Sequence, residues 1–220
     1  MTRLLDIGLD KIKNLLVDMS ILSETTVNMA IESYEKGIAI RSKIFDHSEK
    51  LRLLQLEIAD FAIELIARYQ PVATDLRFLQ SCLDISYGFM RFGRYAYDIS
   101  EVLETIGPSH KCDTSIVSTM ALIVKDMIKL SLDSLRDLDK DISPKLYVMD
   151  DSVDSIYRNF LRKTFKLDSE GLSTTITIND MKCYMSTLLI LRYLERISDH
   201  ACYIGDCVHY IVTGDPTPRK

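Results

Sequence analysis

Helix breakers fall at few places in this 220-residue chain, and they cut it into long unbroken runs. The marked stops are Gln70-Pro71, Gly107-Pro108, Ser143-Pro144 and Gly214-Asp215-Pro216, in a sequence with only eight glycines and five prolines. Proline lacks a backbone donor and disfavours helix in the residue before it, so each stop ends or restarts a helix. Between the stops Leu, Ile and Met recur at helical spacing, as Leu15, Met19, Leu22 and Met29 do near one face. The pattern predicts an all-α chain of six helices, over about 6–43, 46–69, 73–106, 114–140, 144–167 and 179–213. Ser143 is expected to cap the fifth. Residues 168–177 read as a polar loop containing Gly171, and Thr174 to Ile178 is β-prone but isolated.

The order is three helices, a Gly-Pro break, then three more. Sliding residues 73–101 forward by 105 positions pairs Asp75 with Asp180, Ser81 with Ser186, Leu83 with Leu188 and Ile85 with Ile190. It also pairs Arg91 with Arg196, Phe92 with Ile197, Ala96 with Ala201 and Ile99 with Ile204. Such self-similarity marks a duplication. The chain therefore reads as two tandem three-helix bundles, residues 1–108 and 109–220.

Charge and cysteine usage narrow the class. A net charge of −5, with no basic run interleaved with aromatics, argues against nucleic acid as a partner. No apolar run approaches 18 residues, so any membrane association is peripheral at most. Met1 to Asp10 is amphipathic and carries acids, unlike a signal peptide. The five cysteines, Cys82, Cys112, Cys183, Cys202 and Cys207, are odd in number and form no C-x-x-C. That favours a reduced, cytoplasmic setting over a disulfide framework.

Two acid pairs carry the chemical interest. On the sixth helix Tyr184, Leu188, Leu191, Glu195, Asp199 and Cys202 share a face. On the fifth, Asp150 and Asp154 precede Tyr157, Leu161 and Phe165 on a similar stripe. The first pair lies about 16 residues before the loop and the second about 19 after it, a height difference of only ~5 Å at 1.5 Å per residue. Four inward carboxylates at matched height require protons or a cation, and an all-oxygen set suits Mg, Ca or Mn, and also iron in clusters. The alternative places the acids on the edge of the stripe, paired with Arg158, Arg162, Arg192 or Arg196. The matching heights in the first half hold Ser48, Arg52, Met90 and Arg94, which argues against a metal there. Arg52 and Arg94 suit an anion, or pairing with Glu49 or Glu57.

Several segments now resemble the PhoU family of phosphate-uptake regulators. Leu194-Glu195-Arg196-Ile197-Ser198-Asp199-His200-Ala201 is similar to its LERIGDHA signature, with Ser198 in place of Gly. Asp150-Asp151-Ser152-Val153-Asp154-Ser155-Ile156-Tyr157 resembles its DxxVDxxY segment, and Gln70-Pro71-Val72-Ala73-Thr74-Asp75-Leu76-Arg77 its QPVAxDLR turn. The resemblance implies a cytoplasmic, non-enzymatic regulator whose partners are a phosphate ABC transporter ATPase or a sensor histidine kinase. It implies metal, often iron or zinc, held by an E/DxxxD pair in each bundle. Here Asp150, Asp154, Glu195 and Asp199 match and the first-half positions do not, so one site is expected. The family and the apolar content are compatible with a homodimer.

Rival readings remain at this level. A di-iron carboxylate oxidase uses Glu-x-x-His on two helices, and the chain has no E-x-x-H. A metal-free helical scaffold, or a regulator of another transporter, needs only the apolar faces. His200 and Cys207 face one way and Cys202 and His209 another, so the two cysteines read as core residues and not as a zinc site. His200 orients a ligand carboxylate or faces solvent. Met181 and Met185 read as core. Gly88 and Gly93 allow close packing of the third helix, within the bundle or against a partner.

Overall fold

Residues 3–106, 112–167 and 177–216 are described by a computed structural model, with backbone alone over 164–167. The elements are α1 (Leu4–Lys36), α2 (Arg41–Tyr69), α3 (Ala73–Ile106), α4 (Ser115–Asp137), α5 (Ser143–Leu167) and α6 (Ile178–Thr213). Among the described residues there is no strand. The stop expected at Gly107-Pro108 and the loop over 168–176 lie outside the described residues.

Three helix ends differ from the sequence reading: the end of the first, the start of the second, at Arg41 and not near 46, and the end of the fourth, at Asp137 and not near 140. The first helix stops at Lys36, not near 43, because Gly37 adopts the left-handed conformation at φ 65°. From there the N–H of Gly37 reaches the Tyr34 carbonyl (3.3 Å), and that of Ile38 the Ser33 carbonyl (3.0 Å). These bonds satisfy carbonyls that a helix end leaves open, so the chain turns early and α2 starts at Arg41. Gly214 ends α6 the same way, at φ 80°, donating to the Tyr210 carbonyl at 2.9 Å. At the other end of α6, the Thr177 hydroxyl and the Asp180 carboxylate exchange hydrogen bonds with each other's backbone N–H. Ser143 does not cap α5: its hydroxyl is buried without a hydrogen-bond partner.

Helices α1–α3 pack as one bundle and α4–α6 as another, and the two share a continuous apolar core. They join chiefly along α3 and α6, with α1 against α4 beside them. The α3–α6 contact is antiparallel. Arg77 reaches the carbonyl of Ile211, Gly88 faces Ile204, and Tyr95 stacks on Tyr193. Arg91 and Arg196, equivalent under the 105-residue repeat, therefore both sit near the middle of this crossing. Phe89, Phe92, Leu194 and Ile197 are fully buried there. Burying such a side chain stabilises the fold by roughly 1.5–3 kcal/mol each. The α3 glycines serve packing inside the protein. A Cβ on Gly93 would lie 2.4 Å from Leu51, and one on Gly88 3.1 Å from Ile204.

Candidate functional site

The four acids sit beside the apolar seams of α5 and α6. On α5 the buried residues Leu146 and Val153 bracket Asp150, and Asp154 follows one residue later. On α6 Glu195 lies among buried Leu191, Leu194, Ile197 and Ser198, with its side chain only 12% exposed. Asp154 is 26% exposed and Asp199 47%. Packing of α5 on α6 brings the pairs within range of one another, as their mutual electrostatics show.

Burial is the main force raising the Asp150 carboxyl above its usual range, helped by the charges of Asp199, Asp154 and Asp151 and opposed by the Ser198 hydroxyl. Burial likewise raises Glu195, with Asp199 adding to it and Arg192 and Arg196 opposing. Asp199 rises through burial and Asp154, against Arg196. Asp150 and Glu195 are thus strained as anions and gain from a positive neighbour, while Asp199, 47% exposed, is screened by water and strained less.

Arginines supply part of that charge. Arg158 pairs with Asp154. Arg192 Nη1 donates to Glu195 Oε1 at 2.6 Å. Arg196 lies 3.8 Å from Glu195 and 3.7 Å from Asp199. The edge-of-stripe pairing is therefore present. It leaves Asp150 Oδ1 buried without a hydrogen-bond partner, and Glu195 Oε2 likewise, with Arg196 Nε 3.8 Å from it as an ion-pair neighbour only. An orphaned buried anionic oxygen is costly, and these two mark where a cation would be most favoured. The donor set fits a hard cation. The side chains as placed do not form its shell, since among the described residues no three His, Cys, Asp or Glu groups converge as ligands. Arg158, Arg192 and Arg196 are 64%, 37% and 46% exposed, so all three can turn outward to solvent.

The first bundle shows the same scaffold without the acids. Arg52 Nε donates to Glu49 at 3.0 Å, and Arg94 pairs with Asp98 at 3.1 Å while lying over the Tyr97 ring. Met90 packs on the core.

Sequence reasoning missed the cleft beside the quartet. It measures ≈ 560 Å³ and lies between the bundles, lined by Asp84 and Tyr87 of α3, Tyr147 and Asp150 of α5, and Asp199 and Asp206 of α6, among others. Tyr147 Oη donates to Asp206 Oδ2 at 2.6 Å, and Asp206 Oδ1 is buried without a hydrogen-bond partner. The signal was available: Asp206 stands seven residues past Asp199, on the same helical face. His200 is half-buried and borders the same cleft. Its ring lies between Tyr87 and Tyr95, each 6.0 Å away. Burial first, then Arg91 and Arg196, lower its pKa to about 4.

Two cysteine expectations divide. Cys82, Cys202 and Cys207 are buried, as core residues should be. His209 points elsewhere, its Nδ1 at 2.9 Å from the Lys140 carbonyl. Cys112 and Cys183, however, form a disulfide, contrary to the sequence reading. They are 71 residues apart, so no local spacing announces the pair; the packing of α4 on α6 creates it. Met181 and Met185 also depart from expectation. They are 53% and 41% exposed, because the core contacts of α6 begin only at Ser186.

Comparison with known proteins matches residues 16–103 and 117–208 to the PhoU domain family, one copy per bundle. A phosphate-specific transport system accessory protein PhoU homolog from Synechocystis is 29% identical over 211 residues, covering 94% of this chain and 90% of that protein. A homolog from Caulobacter vibrioides is 32% identical over 170 residues, covering 76% and 71%. Among solved structures, PhoU from Pseudomonas aeruginosa superposes with a TM-score of 0.85 at 24% identity, covering 96% of this chain and 99% of that one. The regulatory protein PhoU from Streptococcus pneumoniae gives 0.85 at 17%, covering 98% and 100%.

Proposed function

We propose, from the premise that this chain belongs to the PhoU family, that it is a non-enzymatic regulator of phosphate uptake. The observation that carries this reading is the family match on both bundles, with relatives that are accessory proteins of phosphate-specific transport systems. It acts from the cytoplasm by contact with a phosphate ABC transporter ATPase or a sensor histidine kinase, as a monomer or homodimer. No described helix is long and apolar enough to cross a membrane, which suits a partner reached at the membrane surface. The repeats divide at residues 108 and 109, within a stretch outside the described residues.

The second repeat binds a cation through Asp150, Asp154, Glu195 and Asp199. When bound, the ion supplies positive charge, and no bond-breaking step is assigned to it. The chain's residues do the rest. Asp150 Oδ1 and Glu195 Oε2 present two oxygens without hydrogen bonds, and Arg158, Arg192 and Arg196 leave the carboxylates they now neutralise. Oxygen donors favour Mg, Ca or Mn, while the family resemblance points to iron or zinc.

The test is metal content by mass spectrometry, on untagged protein purified without chelators, beside Glu195→Gln and Asp154→Ala. Retention of metal by the parent and its loss from both variants is the expected result. Equal metal content in all three would remove the site. Co-purification of the ATPase or kinase with the full chain tests the regulatory half separately. Loss of phosphate-responsive signalling on deletion, restored by the parent chain, is expected; signalling unchanged by deletion would overturn it.

A further inference from the structure

We infer that Cys112 and Cys183 form a redox-sensitive staple that controls the order of the first turns of α6. Their Cα atoms are 5.4 Å apart, within the range a disulfide spans. Cys112 precedes α4, in the connection between the repeats, and Cys183 lies in the second turn of α6. The bridge thus ties the inter-repeat connection to the helix that carries Glu195 and Asp199.

What it holds is an overhang. From Ile178 to Met185 α6 has no fully buried residue, and Ile178, Met181 and Met185 are exposed. The stacking of Tyr184 on Phe160, at 5.3 Å, anchors the overhang to α5, and the bridge anchors it to the start of α4. Helix ends with little apolar burial open most easily, so a covalent tie at this point sets how often they open. Both cysteines are partly exposed, whereas Cys82, Cys202 and Cys207 are buried. Reagents in solution therefore reach the bridged pair before the others.

The reaction is thiol–disulfide exchange with a small-molecule disulfide RSSR. One cysteine thiolate attacks RSSR, forming a mixed disulfide and releasing RS⁻. The second thiolate attacks the bound cysteine sulfur and releases the second RS⁻. In sum two cysteine thiols are oxidised to one protein disulfide, RSSR is reduced to two RSH, and the protons pass to the thiolates released. Reduction runs the same steps backwards. In a reducing compartment the pair rests as thiols and closes under oxidant.

The experiment equilibrates the full chain with graded mixtures of oxidised and reduced dithiothreitol, traps free thiols by alkylation, and maps the peptides. Hydrogen exchange and thermal melts follow on each state. A single Cys112–Cys183 crosslink should form and reverse without denaturant. On its reduction, amides in 178–186 should exchange at least tenfold faster, with those in 194–204 unchanged. Closing a 71-residue loop predicts a melting shift of roughly 10 °C or more. Cys112→Ser and Cys183→Ser should each reproduce the reduced state in any mixture. Three results would overturn the inference: no crosslink at full oxidation, a crosslink that excess reduced dithiothreitol leaves intact, or equal exchange over 178–186 in both states.

Discussion

The two bundles share one plan and differ in what stands at four matched positions. The second carries Asp150, Asp154, Glu195 and Asp199; the first carries Ser48, Arg52, Met90 and Arg94. Both close around buried third helices, with Phe92 and Ile197 equally enclosed. The scaffold therefore packs without the acids. In the second bundle Asp150 and Glu195 are held against burial, and each keeps one oxygen with no hydrogen-bond partner. A feature that strains the fold and is not needed for it calls for a role other than packing.

The equality of packing is open to the hardest test. Phe92→Ala should cost about 3–5 kcal/mol and Ile197→Ala about 2–5 kcal/mol in urea unfolding, since both leave cavities in the α3–α6 seam. A cost confined to one would show that a single bundle carries the fold. Adding bulk is a second route: Gly93→Val should lose about 1–3 kcal/mol against Leu51, by the same measurement.

The difference in charge is sharpened by smaller changes. Glu195→Gln should stabilise the metal-free protein by about 0.5–2 kcal/mol, because it removes a desolvated charge. Arg52→Ala at the matched face of the first bundle should stay within about 0.5 kcal/mol. If the two variants shift the melting temperature alike, the strain assigned to the second bundle is absent.

Asp98 is the first bundle's own half-buried acid, and it gives a control in pH. Burial raises it, with Glu101 adding and Arg94 and Arg91 opposing. With its folded pKa above the unfolded value, the native state binds the proton more tightly. Its contribution is greatest in acid and falls as pH rises through the carboxylate range. Asp98→Asn should flatten that fall in a stability–pH profile, and an unchanged profile would contradict it.

Much of this was legible in the chain. Gln70-Pro71 and Gly214-Asp215-Pro216 announce helix ends because their backbone preferences act locally. The break at Gly37 was equally local and was missed because the apolar spacing continues past it. The quartet was legible as height and face, since α5 and α6 pack as neighbours. Its arginine partners were named beforehand, but which oxygens stay orphaned depends on side-chain placement that spacing does not encode. The Cys112–Cys183 bridge and the exposure of Met181 and Met185 depend on where α6 outruns its neighbours, a property of the assembled bundle.

Antiparallel packing of α3 on α6 has a consequence for anything that docks here. The repeat carries Arg91 onto Arg196, so a half-turn about the middle of that crossing carries α3 onto α6, although α1 has 33 residues and α4 only 23. The molecule's acids do not survive the half-turn: one end presents carboxylates where the other presents arginine. A client that read only the packing of the α3–α6 seam would meet it alike from two directions. One that reads charge has a single polarity, and the duplicated protein becomes a directional part.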